Sequence, residues 1–560
     1  MAFAITANCC NDASCVSVCP VNCIHPTPDE PEFGTTDMLY VDPATCIDCG
    51  ACADACPVDA IFPVEALRGP EAVHADRNRA WFEEHPTDNA WGMPEFPRSL
   101  PIGTGPLRIA VVGAGPAAAY TTRFLLQSTD AEITLIDRLP VPGGLLRSGV
   151  APDHPATKRI GDGFAEVYRH PRVRIAFHVE VGTDVSHDEL LEHHSAVVYA
   201  VGAATDRSLD VPGENLMNSH SATDVVGWYN AHPDRTGLPV DVSGERAVVV
   251  GTGNVALDLA RILLADPAEL ARTDISDVAL KTLRGSRIRE VVLLGRRGPE
   301  TAAFTAGEFL ALRATPGLRI VLDEEAATTT ELVGAPRGSA AALLSEVDAE
   351  SIDWSAPPPE GKRIVLRFNS PVAALEGDTS VAALKTAPSS PGGPAVRIPA
   401  GLVVRAIGYR GRPVAGLPFD ESSGTVPNDR GQVLDPTTGS PLPGTYVAGW
   451  IKRGPSGGIG TNRACAGETV DRILDDAAAG VLRPPAAAGR AFERLLRRRG
   501  ADVIDQRAAA AIDRAERDAG QRSGRPRVKF GTVEEMLRSG RRGPRTLLGP
   551  LDPGRLIGAG

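Results

Sequence analysis

Two stretches of the chain share one hydrophobic pattern. Residues 107–126 read LRIAVVGAGPAAAYTTRFLL and residues 246–264 read RAVVVGTGNVALDLARILL. Each is a short unbroken apolar run, a glycine turn, and then apolar positions at helical spacing, which predicts a buried strand, a tight turn and a helix. One unit inserted inside another gives an outer α/β domain over 107–245 and 403–475 and an inner one over 246–402. The outer domain resumes near VVRAIGYRG (403–411) and closes around TYVAGWIKRGPSGGIGT (445–461). The flanks differ. Residues 1–66 are a small cysteine-dense unit, and 67–105, rich in Pro, Glu, Asn and Trp with weak periodicity, read as a linker. Residues 476–538 have a helical, Ala/Arg/Asp-rich pattern, and 539–560 form a polar tail. No apolar run reaches 18 residues, so no membrane span is expected.

Composition narrows the class. The 560 residues are 42% hydrophobic and 23% charged, as in a soluble globular protein of about three or four domains. A net charge of -12 disfavours nucleic acid as a partner. The Arg-rich stretches Arg497–Arg499 and Arg522 to Lys529 read as solvated faces. The N-terminus lacks a basic segment followed by a long apolar one, so no secretory signal is read and a reducing cytoplasm is expected.

Nine of the ten cysteines precede residue 57. Cys46-x2-Cys49-x2-Cys52-x3-Cys56-Pro57 is the full iron–sulfur run whose last Cys serves the other cluster. Cys9-x2-Asp12-x2-Cys15-x3-Cys19-Pro20 repeats it with Asp12 in place of the second Cys. Spacing this tight disfavours disulfides, and zinc pairs need neither the third Cys nor the Cys-Pro. Cys19, Cys46, Cys49 and Cys52 are therefore expected to hold one [4Fe–4S] cluster. Cys9, Cys15 and Cys56 supply only three thiolates to the other. A carboxylate is a harder ligand than a thiolate, so the second site holds a [3Fe–4S] cluster or a labile [4Fe–4S] cluster with Asp12 at its fourth iron. Cys10 beside Cys9 competes as a ligand; Cys23 and Cys465 read as structural thiols. With VCPVNC (18–23) and CIDCGACADACPVDAI (46–61), the first 60 residues resemble the seven-iron bacterial ferredoxins, which implies an α+β two-cluster domain.

The glycine turns read dinucleotides. Gly113-Ala-Gly115-Pro-Ala-Ala118 opens a helix whose N-terminus suits a pyrophosphate, and the next strand, EITLIDR, ends in Asp137, an acceptor for a ribose hydroxyl. That combination suits FAD. Gly251-Thr252-Gly253-Asn254-Val255-Ala256 repeats the geometry, but its partner strand ends in Arg296 and Arg297, which suit a 2′-phosphate and so NADP(H). PVPGGLLRSGVAPDHP (140–155), GWYN (227–230), GRRGPETAAFTAGE (295–308) and GWIKRGPSGGIG (449–460) closely resemble the adrenodoxin-reductase-like ferredoxin–NADP+ reductases, across about 107 to 538. The resemblance implies FAD contacts at Ala117, Asp137, Leu145, Val181, Trp450, Gly457, Gly458 and Ile459. It implies NADP contacts at Thr252, Gly253, Asn254, Val255, Arg296, Arg297, Glu308 and Gly457. It also places His154 and Glu308 near the flavin–nicotinamide junction, where they orient the nicotinamide and manage protons.

The expected function is a ferredoxin–NADP+ reductase with a built-in ferredoxin. NADPH reduces FAD, the clusters take single electrons, and an external ferredoxin or cytochrome P450-type acceptor receives them, with the reverse direction open. The rival readings are an electron-input subunit of glutamate-synthase type and a redox sensor without turnover.

Overall fold

The computed structural model describes residues 2–90, 98–100, 107–325, 332, 335, 339–388, 395–487 and 490–541. The first apolar run becomes the interior strand Arg108–Val112 of a seven-stranded sheet. Beside it run Glu132–Asp137 and Val173–Phe177 on one side, and Ala196–Tyr199 and Pro441–Val447 on the other, all parallel. The hairpin of Asn428–Asp429 and Gln432–Leu434 completes that second edge in antiparallel register. Ile109, Val111, Ile133, Leu135 and Val198 are fully buried. A parallel sheet needs cover on both faces, and helices Pro116–Ser128 and Thr461–Ala478 pack together over one of them.

The second sheet is parallel throughout. Its order is Ser219–Ser221, Leu402–Arg405, Arg246–Val250, Glu290–Leu294, Lys362–Arg367, Leu318–Asp323 and Ala349–Glu350. The chain leaves the first unit and returns to it through Thr205–Asp206 and Tyr409–Arg410, which pair antiparallel as a two-stranded bridge. The domain limits differ from expectation at both crossings. Ser219–Ser221, helix Ala222–Tyr229 and Leu402–Arg405 pack in the inner unit, not the outer one. A Val-rich strand buried on both faces reads identically in either sheet, so its sequence does not say which it joins.

Residues 2–90 form the cysteine-rich unit. Two antiparallel ribbons, Phe3–Ile5 with Ile61–Pro63 and Ile24–His25 with Tyr40–Val41, frame it. The segment expected as a linker contains helix Val73–Glu84, packed across Phe3–Ile5 and Tyr40–Val41. Its fully buried positions, His74 and Asn78, are polar, and its apolar contacts are confined to Trp81 and Phe82 near its end, Trp81 stacked on Tyr40 at 5.2 Å, so no apolar stripe runs along it for periodicity to find. Asn78 replaces strand pairing: its carboxamide accepts from Ile5 N at 3.1 Å and Val41 N at 2.8 Å and donates to Ile5 O at 2.8 Å. This unit has a further property. Residues 1–90 hold fifteen carboxylates and three arginines, a balance equal to the -12 of the whole chain.

The C-terminal extension is helical over Ala491–Arg498, Gln506–Arg522 and Val533–Arg541, the last crossing the expected start of the polar tail; 542–560 lie outside the described residues. Ile504 and Phe177 exchange backbone hydrogen bonds at 2.9 and 3.0 Å, which covers the edge strand of the first sheet. No helix among the described residues is long and apolar enough to cross a membrane.

Candidate redox site

The nine cysteines that precede residue 57 line two separate small cavities. Cys19, Cys46, Cys49 and Cys52, the four motif cysteines that give the four-cysteine cavity its name, line one together with Cys23, whose Sγ is 3.4 Å from that of Cys19. Cys9, Cys10, Asp12, Cys15 and Cys56 line the other. The fourth Cys of each run crosses to the opposite cavity, as the pseudo-symmetric motif requires. The Asp12 carboxylate accepts from the Ser14 amide at 3.2 Å and from the Ser14 hydroxyl. Backbone N–H groups of Leu39 and Ala60 point at Cys9 Sγ (3.5 Å) and Cys56 Sγ (3.2 Å). Burial pushes the Cys9 thiol up to about 12 and the Cys52 thiol up to about 11. Bare thiolates are unfavourable there, and iron supplies the compensating charge, so this donor set fits an iron–sulfur cluster.

At the carboxyl edge of the first sheet, Gly113 and its counterpart in the second, Gly251, have φ of +109° and +135°. A Cβ would lie 2.4 Å from Ala200 O and 2.3 Å from Ala406 O, respectively, so only glycine makes either turn. The helices that follow, Pro116–Ser128 and Asn254–Leu264, have no side-chain cap and no acid in the first turn. Both N-termini can receive an anion. Asp137 accepts from Ala114 N at 2.7 Å and Leu139 N at 2.8 Å. Its burial raises its pKa, an effect these two amides oppose. Gly115 abuts Gly144, next to Leu145, and Ala117 abuts Gly449, next to Trp450. Trp450 packs tilted against Tyr409 at 5.3 Å and donates to Ser456 O at 3.1 Å. Gly457 and Gly458 are exposed and Ile459 is half-buried. Val181 lies apart from these, past the end of Val173–Phe177, bridged to Val185.

In the second unit, Arg296 and Arg297 are exposed just beyond Glu290–Leu294, and neither meets a carboxylate among the described residues. Two unpaired cations at this strand end fit a phosphate. Thr252 and Gly253 form the turn, with Val255 in the first turn of the helix. Asn254 accepts from Thr305 N at 2.8 Å, which fixes the start of helix Ala306–Arg313 and hence Glu308.

His154 and Glu308 meet where the two units face each other. His154 Nε2 lies 3.2 Å from Asp258 Oδ1 and 3.8 Å from Glu308 Oε2. Arg261 Nη2 lies 2.7 Å from both His154 Nε2 and Asp258 Oδ1, and Arg261 also grips Asp153 at 2.7 and 3.0 Å. The deprotonated imidazole therefore accepts from Arg261, and the protonated one donates to Asp258. Burial would depress the His154 pKa, but Asp258, its hydrogen-bond partner, holds it above the ordinary value. Burial raises Glu308; it also opposes ionisation of Asp258, which His154 and Arg261 nevertheless hold low. Sequence reasoning missed Asp153, Asp258 and Arg261. The last two lie on one helical face with Asn254, and that spacing after the glycine turn was the available signal.

A pyridine nucleotide-disulphide oxidoreductase model matches residues 107–296 and a 4Fe-4S binding domain model matches 39–62. A probable ferredoxin/ferredoxin–NADP reductase of Mycobacterium leprae is 44% identical over 549 residues, covering 96% of this chain and 97% of its own. The chain belongs to the ferredoxin/ferredoxin–NADP reductase family. Within that family the reductase half also stands alone: the NADPH-ferredoxin reductase FprA of Mycobacterium tuberculosis is 43% identical, covering 78% of this chain and 99% of its own. A solved FprA structure in complex with NADPH covers 78% of this chain and all of its own, with 41% identity and a TM-score of 0.70. What a ferredoxin/ferredoxin–NADP reductase adds to that fold lies on its N-terminal side, where both cysteine cavities are.

Proposed function

We infer that this chain is a ferredoxin–NADP+ reductase carrying its own ferredoxin. FAD, when bound, takes a hydride from NADPH as an electron pair and releases single electrons, which the iron–sulfur clusters carry to an external ferredoxin or cytochrome P450-type acceptor. The protein supplies binding and order. The N-terminus of helix Pro116–Ser128 and Asp137 hold the pyrophosphate and ribose of FAD. Arg296 and Arg297 select NADPH by its 2′-phosphate, and His154 with Glu308 orients the nicotinamide. The Asp12 cavity holds a [3Fe–4S] or labile [4Fe–4S] cluster and the four-cysteine cavity a [4Fe–4S] cluster. The cytoplasm, with reduced thiols and NADPH, is the fitting compartment. The observation that carries this reading is that two cysteine cavities and two glycine-turn dinucleotide sites share one chain, which matches a ferredoxin/ferredoxin–NADP reductase over nearly its full length.

Anaerobic addition of NADPH to the purified holoenzyme tests it. Flavin bleaching followed by change in the cluster EPR signals is expected. Bleaching with no cluster reduction sinks the internal relay.

A further inference from the structure

The two cysteine cavities stand differently toward the flavin unit. The loop bearing Cys9, Cys10 and Asp12 is built against the start of helix Thr461–Ala478. Gly460 N–H donates to the Cys10 carbonyl at 2.9 Å. The Arg463 guanidinium donates to the Asp12 carbonyl at 2.7 Å and to the Ser14 hydroxyl at 3.1 Å. A Cβ on Gly460 would lie 2.2–2.3 Å from Cys10 O, Asn11 C and Asp12 N, so no other residue permits this approach. Gly307 closes on Ala7 in the same way, its Cβ position 2.6 Å from that of Ala7.

The four-cysteine cavity faces elsewhere. None of its lining residues forms a hydrogen bond or ion pair to a described residue beyond 90. Cys49 is exposed, and Ile47, which also lines the cavity, is 57% exposed, among the most exposed large apolar side chains of the described residues.

We propose that the Asp12 cavity is the first station for electrons leaving the flavin and the four-cysteine cavity the second and the exit, with Gly460 and Arg463 as the positioning residues that fix this order. Electron tunnelling falls steeply with distance, so the cavity seated against the flavin unit receives first. Gly460 adjoins the Gly457–Ile459 segment assigned above to the flavin, so one short stretch of backbone runs from that site to Cys10. Each two-electron reduction by NADPH yields two single-electron steps; each cluster gains one electron, no bond forms, and the protons released as the flavin is reoxidised go to solvent. The proposal rests on the NADPH–FAD–cluster reading.

Freeze-quench EPR of the holoenzyme mixed anaerobically with NADPH tests it, alongside Cys15→Ala, Arg463→Glu and Arg463→Lys. In wild type the Asp12-cavity signal should change before the four-cysteine signal. In Cys15→Ala, the four-cysteine cluster should still be reduced by dithionite but about tenfold or more slowly by NADPH. Loss of the charged hydrogen bonds in Arg463→Glu should slow both cluster phases about tenfold, with flavin bleaching at its wild-type rate. Amides of residues 11–14 should then exchange faster with solvent, and Arg463→Lys should recover both properties. Wild-type reduction of the four-cysteine cluster in Cys15→Ala, or an Arg463→Glu protein unchanged in cluster rates, overturns the order. Should Cys15→Ala fail to fold, the Arg463 pair decides. Bleached flavin with neither cluster reduced in wild type instead overturns the functional reading beneath it.

Discussion

Asn78 makes three hydrogen bonds to two strands that do not pair with each other. Asn78→Ala strands buried amides at about 1–3 kcal/mol each, so urea unfolding of the cysteine-rich unit should shift by about 3 kcal/mol while the flavin signal holds. At the nucleotide site, Arg296→Ala with Arg297→Ala removes charge-assisted bonds worth about 1.5–3 kcal/mol each. The KM for NADPH should rise at least tenfold and the KM for NADH stay near its starting value; equal rises would remove the 2′-phosphate assignment. His154 and Asp258 set a pH window for the contact between units. The raised His154 pKa gives stability that is full below its unfolded value and lost as pH rises through the folded one. The lowered Asp258 pKa gives stability present above the ordinary carboxylate range and lost as pH falls through its folded value. Calorimetry should show a melting maximum between these limits, and His154→Gln should erase its alkaline fall. Asp137, Arg296 and the cysteines were legible because spacing places them. Asn78 and Arg463 were not, since their partners lie far along the chain, whereas Asp258 carried a signal in its spacing after the glycine turn.

Among elements, the C-terminal extension is the clearest case of packing that periodicity hides. Glu516 is fully buried on helix Gln506–Arg522, gripped by Arg147 at 2.8 and 2.5 Å and by Arg527 at 3.1 Å. Lys529 of the extension and Lys158 of the flavin unit both reach Asp274 of the nicotinamide unit, at 2.9 and 2.6 Å. Asn230 Oδ1 accepts from each lysine at 3.0 Å. Burial opposes the Asp274 charge, yet the two lysines hold its pKa down, to about 2. Asp274→Asn leaves two buried ammonium groups without a carboxylate, and should cost about 3–5 kcal/mol by chemical denaturation. Retention of full stability would mean that water already solvates the site. Read as solvated, Arg522 to Lys529 instead supplies three pinned cations, because a charged stretch looks the same whether it faces water or buried acids. Helix Val73–Glu84 escaped for the opposite reason: its fully buried positions, His74 and Asn78, are polar.

For the whole molecule, several seams among the described residues fix the units, among them Gly460 and Arg463 on the Asp12 loop, Arg261 across Asp153 and Glu308, the bridge of Thr205–Asp206 with Tyr409–Arg410, and Lys529 on Asp274. The two-unit reductase plan was readable from its glycine turns and strand-end charges. How the cysteine-rich unit sits was not, because Gly460 and Arg463 look ordinary on a helix start until Cys10 and Asp12 lie against them. The concentration of the chain's net charge in residues 1–90 has its own consequence. The remaining residues balance to zero, so the assembled protein is an electric dipole with its negative pole at the end that carries Cys49. Such a dipole turns in the field of an approaching partner before contact, over a range near 10 Å at ionic strength of about 0.1 M. An acceptor with a basic face is turned toward the exposed cysteine and loses that guidance as salt rises; an acidic one is turned away and gains. The sign of the salt dependence of electron delivery thus reads the charge of the natural acceptor's docking face.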